Sequence, residues 1–254
     1  MNRKIVTQFL VLTFSIAVLT WGICAVFGLF GFAVENALWL YTFIAICAFS
    51  PTIASYNVLI KNNEVKNFKE WAKNIFAFKS SLRFYLLVLL FCIIDKAPKI
   101  IVSGLAEVQP LYMFFGFIPL ALVFGGIEEV GWSYVLRPEL DKKFGLVISS
   151  IIVAVIWASW HIPVFLPQGR VESIPWFLLF SIDILGMSFA LGAIIKITKS
   201  VFLCVLFHTL TNAVSMTFST NDTLLGSVLT ACLFIIVSLL AVFIYGRRSK
   251  KARV

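Results

Sequence analysis

The sequence predicts an all-α, polytopic membrane protein, a bundle of about eight transmembrane helices with both termini on the cytoplasmic side. Three observations carry this. The chain of 254 residues is 61% hydrophobic, with a mean hydropathy of +0.99. Only 13% of its residues are charged, against about 25% in a soluble domain, so it cannot cover itself with water-compatible surface. Its lysines and arginines are gathered into the short segments between apolar runs, the distribution that orients membrane proteins.

Crossing the hydrocarbon core as a helix takes roughly 20 apolar residues. Such runs are read at 5–32, 37–60, 84–104, 111–136, 145–166, 174–195, 200–220 and 224–245. The opening Met1-Asn2-Arg3-Lys4 before an apolar run imitates a signal peptide, but no small-residue cleavage site ends the run by Phe32, so a retained first span is expected. In the segment 61–83, Phe68, Trp71, Ile75, Phe76 and Phe78 alternate with lysines. It reads either as an amphipathic helix on the anionic inner surface or as a solvated basic loop. The third run contains Asp95, Lys96, Pro98 and Lys99 and reads as two pieces or as one helix that leaves the membrane early. The fourth contains Pro119, which should kink it. Connections are short, so one integral membrane domain over 1–254 is expected, with a motif-bearing core at about 110–220.

Positive charge alternates along these connections. Arg3 and Lys4 precede the first run, and Lys61, Lys66, Lys69, Lys73, Lys79 and Arg83 follow the second. Arg137, Lys142 and Lys143 follow the fourth, Lys196 and Lys199 the sixth, and Arg247, Arg248, Lys250, Lys251 and Arg253 the last. The connections around Glu35, Glu107, Glu172 and Asp222 are poor in positive charge. An even number of spans satisfies all of them. The net charge of +9 therefore speaks for membrane orientation, and no nucleic-acid partner is expected. The five cysteines lie in apolar runs, are odd in number and show no CxxC spacing, so neither a disulfide framework nor a cysteine metal site is expected.

Ionisable groups inside a bilayer are costly and mark function or pairing. Here they fall mainly in three clusters. The first is Gly125-Gly126-Ile127-Glu128-Glu129-Val130-Gly131-Trp132-Ser133, running on to Arg137. Adjacent helical residues diverge by about 100°, so Glu128 and Glu129 take different roles. Glu129, Ser133 and Arg137 would share one face, with Arg137 neutralising a carboxylate directly or through Ser133. The second cluster sets Trp157 and His161 one turn apart, and the third does the same for His208 and Asn212. An unpaired histidine or asparagine in mid-span costs free energy, and hydrogen bonding between helices is the plain alternative to catalysis. These clusters hold both histidines of the chain. Two carboxylates, two imidazoles and an amide suit activation of water for attack on a carbonyl, with Glu as base and His or Asn donating to the oxyanion. Glu128, His161 and His208 would equally serve as a Zn²⁺ ligand set with water in the open position. Counted along straight helices, His161 lies nearer the outer face than Glu128. Asp183 in the sixth run reads as a partner for a neighbouring helix or as a group orienting a histidine, and Asp95 with Lys96 as a self-neutralising pair.

In these clusters the sequence resembles the CPBP family of intramembrane proteases, also called the CAAX protease and bacteriocin-processing, or Abi, family. The resemblance rests on Glu-Glu-Val-Gly-Trp at 128–132, Trp-Ala-Ser-Trp-His-Ile-Pro at 157–163 and Phe-His-Thr-Leu-Thr-Asn at 207–212. These correspond, in order, to the family's EExxxR, aromatic-xxx-His and HxxxN motifs. The resemblance implies hydrolysis of a peptide bond within the membrane. Glu128 or Glu129, the former preferred, would activate water with His161, while His208 and Asn212 would stabilise the oxyanion. Catalysis would be metal-free or zinc-dependent. The family's arginine falls at position 133, where this chain has Ser133. Activity would then depend on Arg137 substituting from one turn further on, and a pseudoenzyme scaffold is the reading if it does not. The implied partners are the bilayer and a membrane-embedded or lipidated peptide or protein, and the implied place is a bacterial plasma membrane, with bacteriocin-type processing or self-immunity among the family's roles. A proton-coupled transporter is the rival from another class; it predicts ionisable groups strung along a pathway and internal repeats, and no clear repeat is present.

Overall fold

The computed structural model describes residues 1–30, 38–165 and 173–251. The connections around Glu35 and Glu172, and Arg253, lie outside the described residues, as does Phe32. Among the described residues there are eleven α-helices and two strands, which pair into a two-stranded sheet although five of the helices lie between them in the chain. They are α1 (Arg3–Leu29), α2 (Leu38–Ala48), α3 (Ser50–Lys61), α4 (Phe68–Ile75), α5 (Leu82–Ser103), β1 (Leu105–Val108), α6 (Leu111–Val123), α7 (Glu129–Gly131), α8 (Arg137–Phe165), α9 (Ser173–Thr198), α10 (Val201–Thr217), β2 (Phe218–Thr220) and α11 (Leu224–Lys251).

The all-α expectation holds, and each apolar run is mostly helical over its described residues. By length and composition, four stretches among the described residues can cross a membrane: Arg3–Cys24, Leu111–Pro163, Ile174–Thr198 and Leu224–Gly246. A fifth arises if the pair Thr42–Ala48 and Ser50–Lys61, bent by 47°, counts as one. Eight were read from the sequence, and the difference has physical causes. Helix α5 carries Asp95, Lys96 and Lys99 within its apolar length. Helix α10 has 17 residues, short of the roughly 20 a span needs. The stretch Leu111–Pro163 is a compound run: α6 stops at Val123, and α8 is interrupted at Gly145, whose φ of 70° is not helical.

Helix α5 is continuous through Pro98. Its charges settle on one another: Lys99 Nζ lies 2.6 Å from Asp183 on α9 and 3.7 Å from Asp222, and Lys96 lies 4.0 Å from Asp95. Asp183 is thus a partner for a neighbouring helix, as one of its two readings had it. Segment 61–83 contains a helix, α4, capped by the Asn67 side chain accepting from Glu70 N. It is docked rather than free on a surface: Trp71 and Ile75 are buried, and Trp71 Nε1 donates to Ser55 Oγ at 3.1 Å.

Basic ends gather at one end of the bundle. Asn2 N donates to Glu139 Oε2 at the start of α8, Asn62 past α3 reaches Gln8 on α1, and Lys196 near the end of α9 pairs with Asp141. Arg83 lies over Tyr245 near the end of α11. At the other end β1 and β2 pair antiparallel, Val108 opposite Phe218. Helix α10 runs through the middle, with Val201, Leu203, Phe207 and His208 among its buried residues, and packs against α5, α6, α7 and α9.

Candidate active site

The first cluster does not sit on a regular helix. After Val123 the chain turns at Gly125 (φ −167°, ψ −72°), makes a 3₁₀ turn over Gly126–Glu128, and passes through α7 into a π-helical turn over Trp132–Leu136. The break lets the backbone lie against α10. A Cβ on Gly125 would stand 2.1 Å from Asn212 Nδ2 and 3.1 Å from His208 Nε2, and one on Gly126 would stand 2.9 Å from the backbone oxygen of Val205 on α10, so glycine at 126 permits this approach. From α3, Thr52 Oγ1 donates to Ile127 O at 2.6 Å and holds the turn from the other side.

The two carboxylates diverge as their adjacency predicts. Glu128 is 3% exposed; its Oε2 accepts from Trp157 Nε1 at 2.8 Å and, more weakly, from Trp132 Nε1 at 3.4 Å. Glu129 is fully buried; its Oε2 accepts from Ser133 Oγ at 2.5 Å, and its Oε1 accepts from His208 Nδ1 at 3.1 Å. A buried carboxylate without donors would be prohibitively costly, and each oxygen named here has at least one.

The second and third clusters meet the first through Trp157. Its indole holds Glu128, its ring lies edge-on to His208 with centroids 5.3 Å apart, and its carbonyl accepts from His161 Nδ1 at 2.9 Å. A carbonyl can only accept, so Nδ1 carries a proton and the neutral ring keeps its lone pair on Nε2. The His161 ring is packed by Trp160 at 4.7 Å, Phe180 at 4.8 Å and Trp21 at 5.8 Å. Among the described residues no hydrogen bond joins His161 to either carboxylate. His161 and Asn212 are each half-buried. The gap in depth between Glu128 and His161 is bridged because Trp157 lies one turn before His161 and its long side chain reaches Glu128.

Arg137 is a correction. It was expected to neutralise a carboxylate directly or through Ser133, but among the described residues no ion pair or hydrogen bond joins it to Glu128, Glu129 or Ser133. It is 1% exposed, donating to Ser150 Oγ at 3.1 Å and to Ser188 O and Oγ at 2.8 and 2.7 Å. The cause is local. A π turn closes at i+5 rather than i+4, which carries Arg137 off the face shared by Glu129 and Ser133. Glu129 is held instead by the Ser133 hydroxyl, at the position of the missing arginine, and by His208. Arg137→Lys is therefore expected to cost stability, about 1.5–3 kcal/mol for a lost charge-assisted hydrogen bond, with little change in turnover; thermal unfolding and a rate measurement on the same preparation check it.

The zinc set Glu128, His161 and His208 is not gathered: among the described residues no three His, Cys, Asp or Glu side chains stand close enough to hold a metal ion. The facing ring nitrogen of His208 is taken by Glu129, and Nδ1 of His161 by a carbonyl. Sequence reasoning gave no role to Gly125, Thr52 or Trp21. For Trp132 the signal was present, since it lies four residues after Glu128; for Trp21 and Thr52 nothing local points to contacts so distant in the chain.

Fold and site together define a polytopic helical membrane protein with an ionisable cluster sealed between α3, α7, α8 and α10. Residues 110–214 match the family described as type II CAAX prenyl endopeptidase Rce1-like. The chain is also 29% identical over 106 residues to CAAX prenyl protease 2 of Methanococcus maripaludis, a match covering 38% of this chain and 39% of that relative. The likeness therefore spans about two fifths of the relative's length. Residues 110–214, the stretch that matches, contain Glu128, Glu129, His161, His208 and Asn212.

Proposed function

We propose that the protein is an intramembrane endopeptidase that hydrolyses a peptide bond of a membrane-associated peptide or protein using carboxylate-activated water. The observation that carries the reading is that His208 Nε2 and Asn212 Nδ2 both lie close to Gly125, while Glu129 holds the other nitrogen of the same imidazole. When the ring bears both protons, Glu129 balances its charge and Nε2–H joins the Asn212 amide as a second donor. Two donors side by side suit the oxyanion that forms when a carbonyl is attacked.

Glu128 is the base. The water oxygen bonds to the carbonyl carbon, its proton passes to Glu128, and the carbonyl oxygen takes the negative charge before His208 and Asn212. Collapse breaks the C–N bond, and the proton on Glu128 goes to the leaving amine. The free lone pair of His161 serves as a second acceptor on the water's path. These steps need no metal ion.

The substrate class follows from the site's place among apolar helices and from the similar protease, whose name refers to prenylated CAAX proteins: a lipidated or membrane-anchored tail. Bacteriocin-type processing and self-immunity belong to the same class of substrate. Gathering of the basic connections at one end supports both termini facing the cytoplasm of a plasma membrane.

The test is cleavage of a pool of membrane-anchored and lipidated peptides by detergent-purified protein, read by mass spectrometry for new termini, with Asn212→Ala as the comparison and a chelator arm for each. The expected result is a defined cut, unaffected by chelator and reduced on the order of 10²-fold in Asn212→Ala, the scale of one oxyanion donor. Loss with chelator and recovery with Zn²⁺ would replace Glu-only catalysis by a metal mechanism. No cut by the wild type would favour the non-catalytic scaffold.

A further inference from the structure

A second feature of the molecule adjoins the catalytic cluster, since Ser133, which donates to Glu129, is part of its wall. At the basic end, between α4, the start of α8 and the α9–α10 turn, is a cavity of about 1030 Å³. Five lysines line it, Lys73, Lys79, Lys142, Lys196 and Lys199, against a single acidic residue, Asp141. Two of the lysines are engaged: Lys196 pairs with Asp141 and Lys142 with Glu139. Among the described residues Lys73, Lys79 and Lys199 have no acidic partner. Like charges around one cavity repel, so this arrangement is at its most stable with an anion inside.

The rest of the wall limits the kind of anion. Phe76 and Phe78 are 43% and 62% exposed and belong to the same cavity, giving it an apolar lip beside its charges. Helix α4 is fixed there through Trp71 and through Asn74, which donates to Tyr134 OH at 3.1 Å across the cavity. A charged pocket with an apolar lip, at the lysine-rich end of a membrane bundle, fits an amphiphile whose head is anionic. Basic pockets of this kind between membrane helices take phosphate headgroups.

We propose that this cavity is a binding site for a phosphate-bearing anion and that in the membrane its occupant is the headgroup of an anionic glycerophospholipid, with the acyl chains leaving past Phe76 and Phe78. The proposal does not rest on the protease reading, since none of the three free lysines touches Glu128, Glu129, His161, His208 or Asn212.

The experiment is thermal unfolding of the full chain in a neutral detergent, titrated with phosphatidylglycerol, with phosphatidylcholine, or with inorganic phosphate alone. Phosphatidylglycerol is expected to raise the midpoint by roughly 5 °C at saturation, and phosphatidylcholine to leave it unchanged. The triple variant Lys73→Ala, Lys79→Ala, Lys199→Ala should lose that shift. The control Lys61→Ala, Lys66→Ala, Lys69→Ala, which removes as much charge from exposed positions off the cavity, should keep it. A shift from inorganic phosphate alone as large as that from the lipid would keep the anion site and overturn the lipid as its occupant. Absence of any shift with phosphatidylglycerol in the wild type, or equal loss in the two triple variants, overturns the site.

Discussion

Glu128→Gln is expected to lower the turnover number by on the order of 10²–10⁴-fold while leaving the fold intact. The substitution is nearly isosteric. A glutamine carbonyl still accepts from Trp157 Nε1 and Trp132 Nε1, so the bonds that hold the side chain in place survive. What is lost is the ability to take a proton from water. Rate and unfolding midpoint should therefore separate, the first collapsing and the second staying near the wild-type value. A parallel fall of both would make Glu128 a structural group and move the base elsewhere.

Gly131→Ala is expected to have the opposite signature, a loss of stability of about 3 kcal/mol, at the upper end of the cost of overpacking. A methyl group there would stand 2.4 Å from Pro51 Cβ, 2.7 Å from Pro51 O and 2.8 Å from Pro51 C. Backbone atoms of α3 cannot swing aside as a flexible side chain can, so α3 and the turn that carries Glu128 and Glu129 must part. Gly116→Ala on α6 is the control: nothing lies within 4 Å of a methyl group there, and helix propensity alone predicts a gain of roughly 0.5–1 kcal/mol. Unfolding in mixed micelles measures both.

The parts of the site that were legible in the sequence are those fixed by local spacing. Ser133 reaches Glu129 as i+4 neighbours, and Trp157 and His161 are joined across one turn. The apolar runs were legible because a helix is the usual way to satisfy a backbone in hydrocarbon. What stayed hidden depends on long-range packing or on departures from the regular helix. A Gly-Gly pair at the end of an apolar run does not reveal that α10 lies against it. Arg137 was placed by counting 3.6 residues per turn through a stretch that is π-helical. The number of spans was blurred for the same reason, because the breaks fall at Gly125 and Gly145 while the polar stretch 137–143 between the two runs is itself helical. His161 looked too distant because a residue count along straight helices ignores the reach of an indole from one turn away.

If Glu129 and His208 act as one unit facing Asn212, a double-mutant cycle on single-turnover cleavage will show it. Glu129→Ala, His208→Ala and the double variant would be compared with wild type, each checked for native unfolding. Residues that work as a unit are strongly non-additive, so the double variant should lose no more than the worse of the two single variants. Losses that simply add would mean that the 3.1 Å contact between Glu129 and His208 is packing alone, and that the oxyanion site proposed beside Gly125 is not built on it.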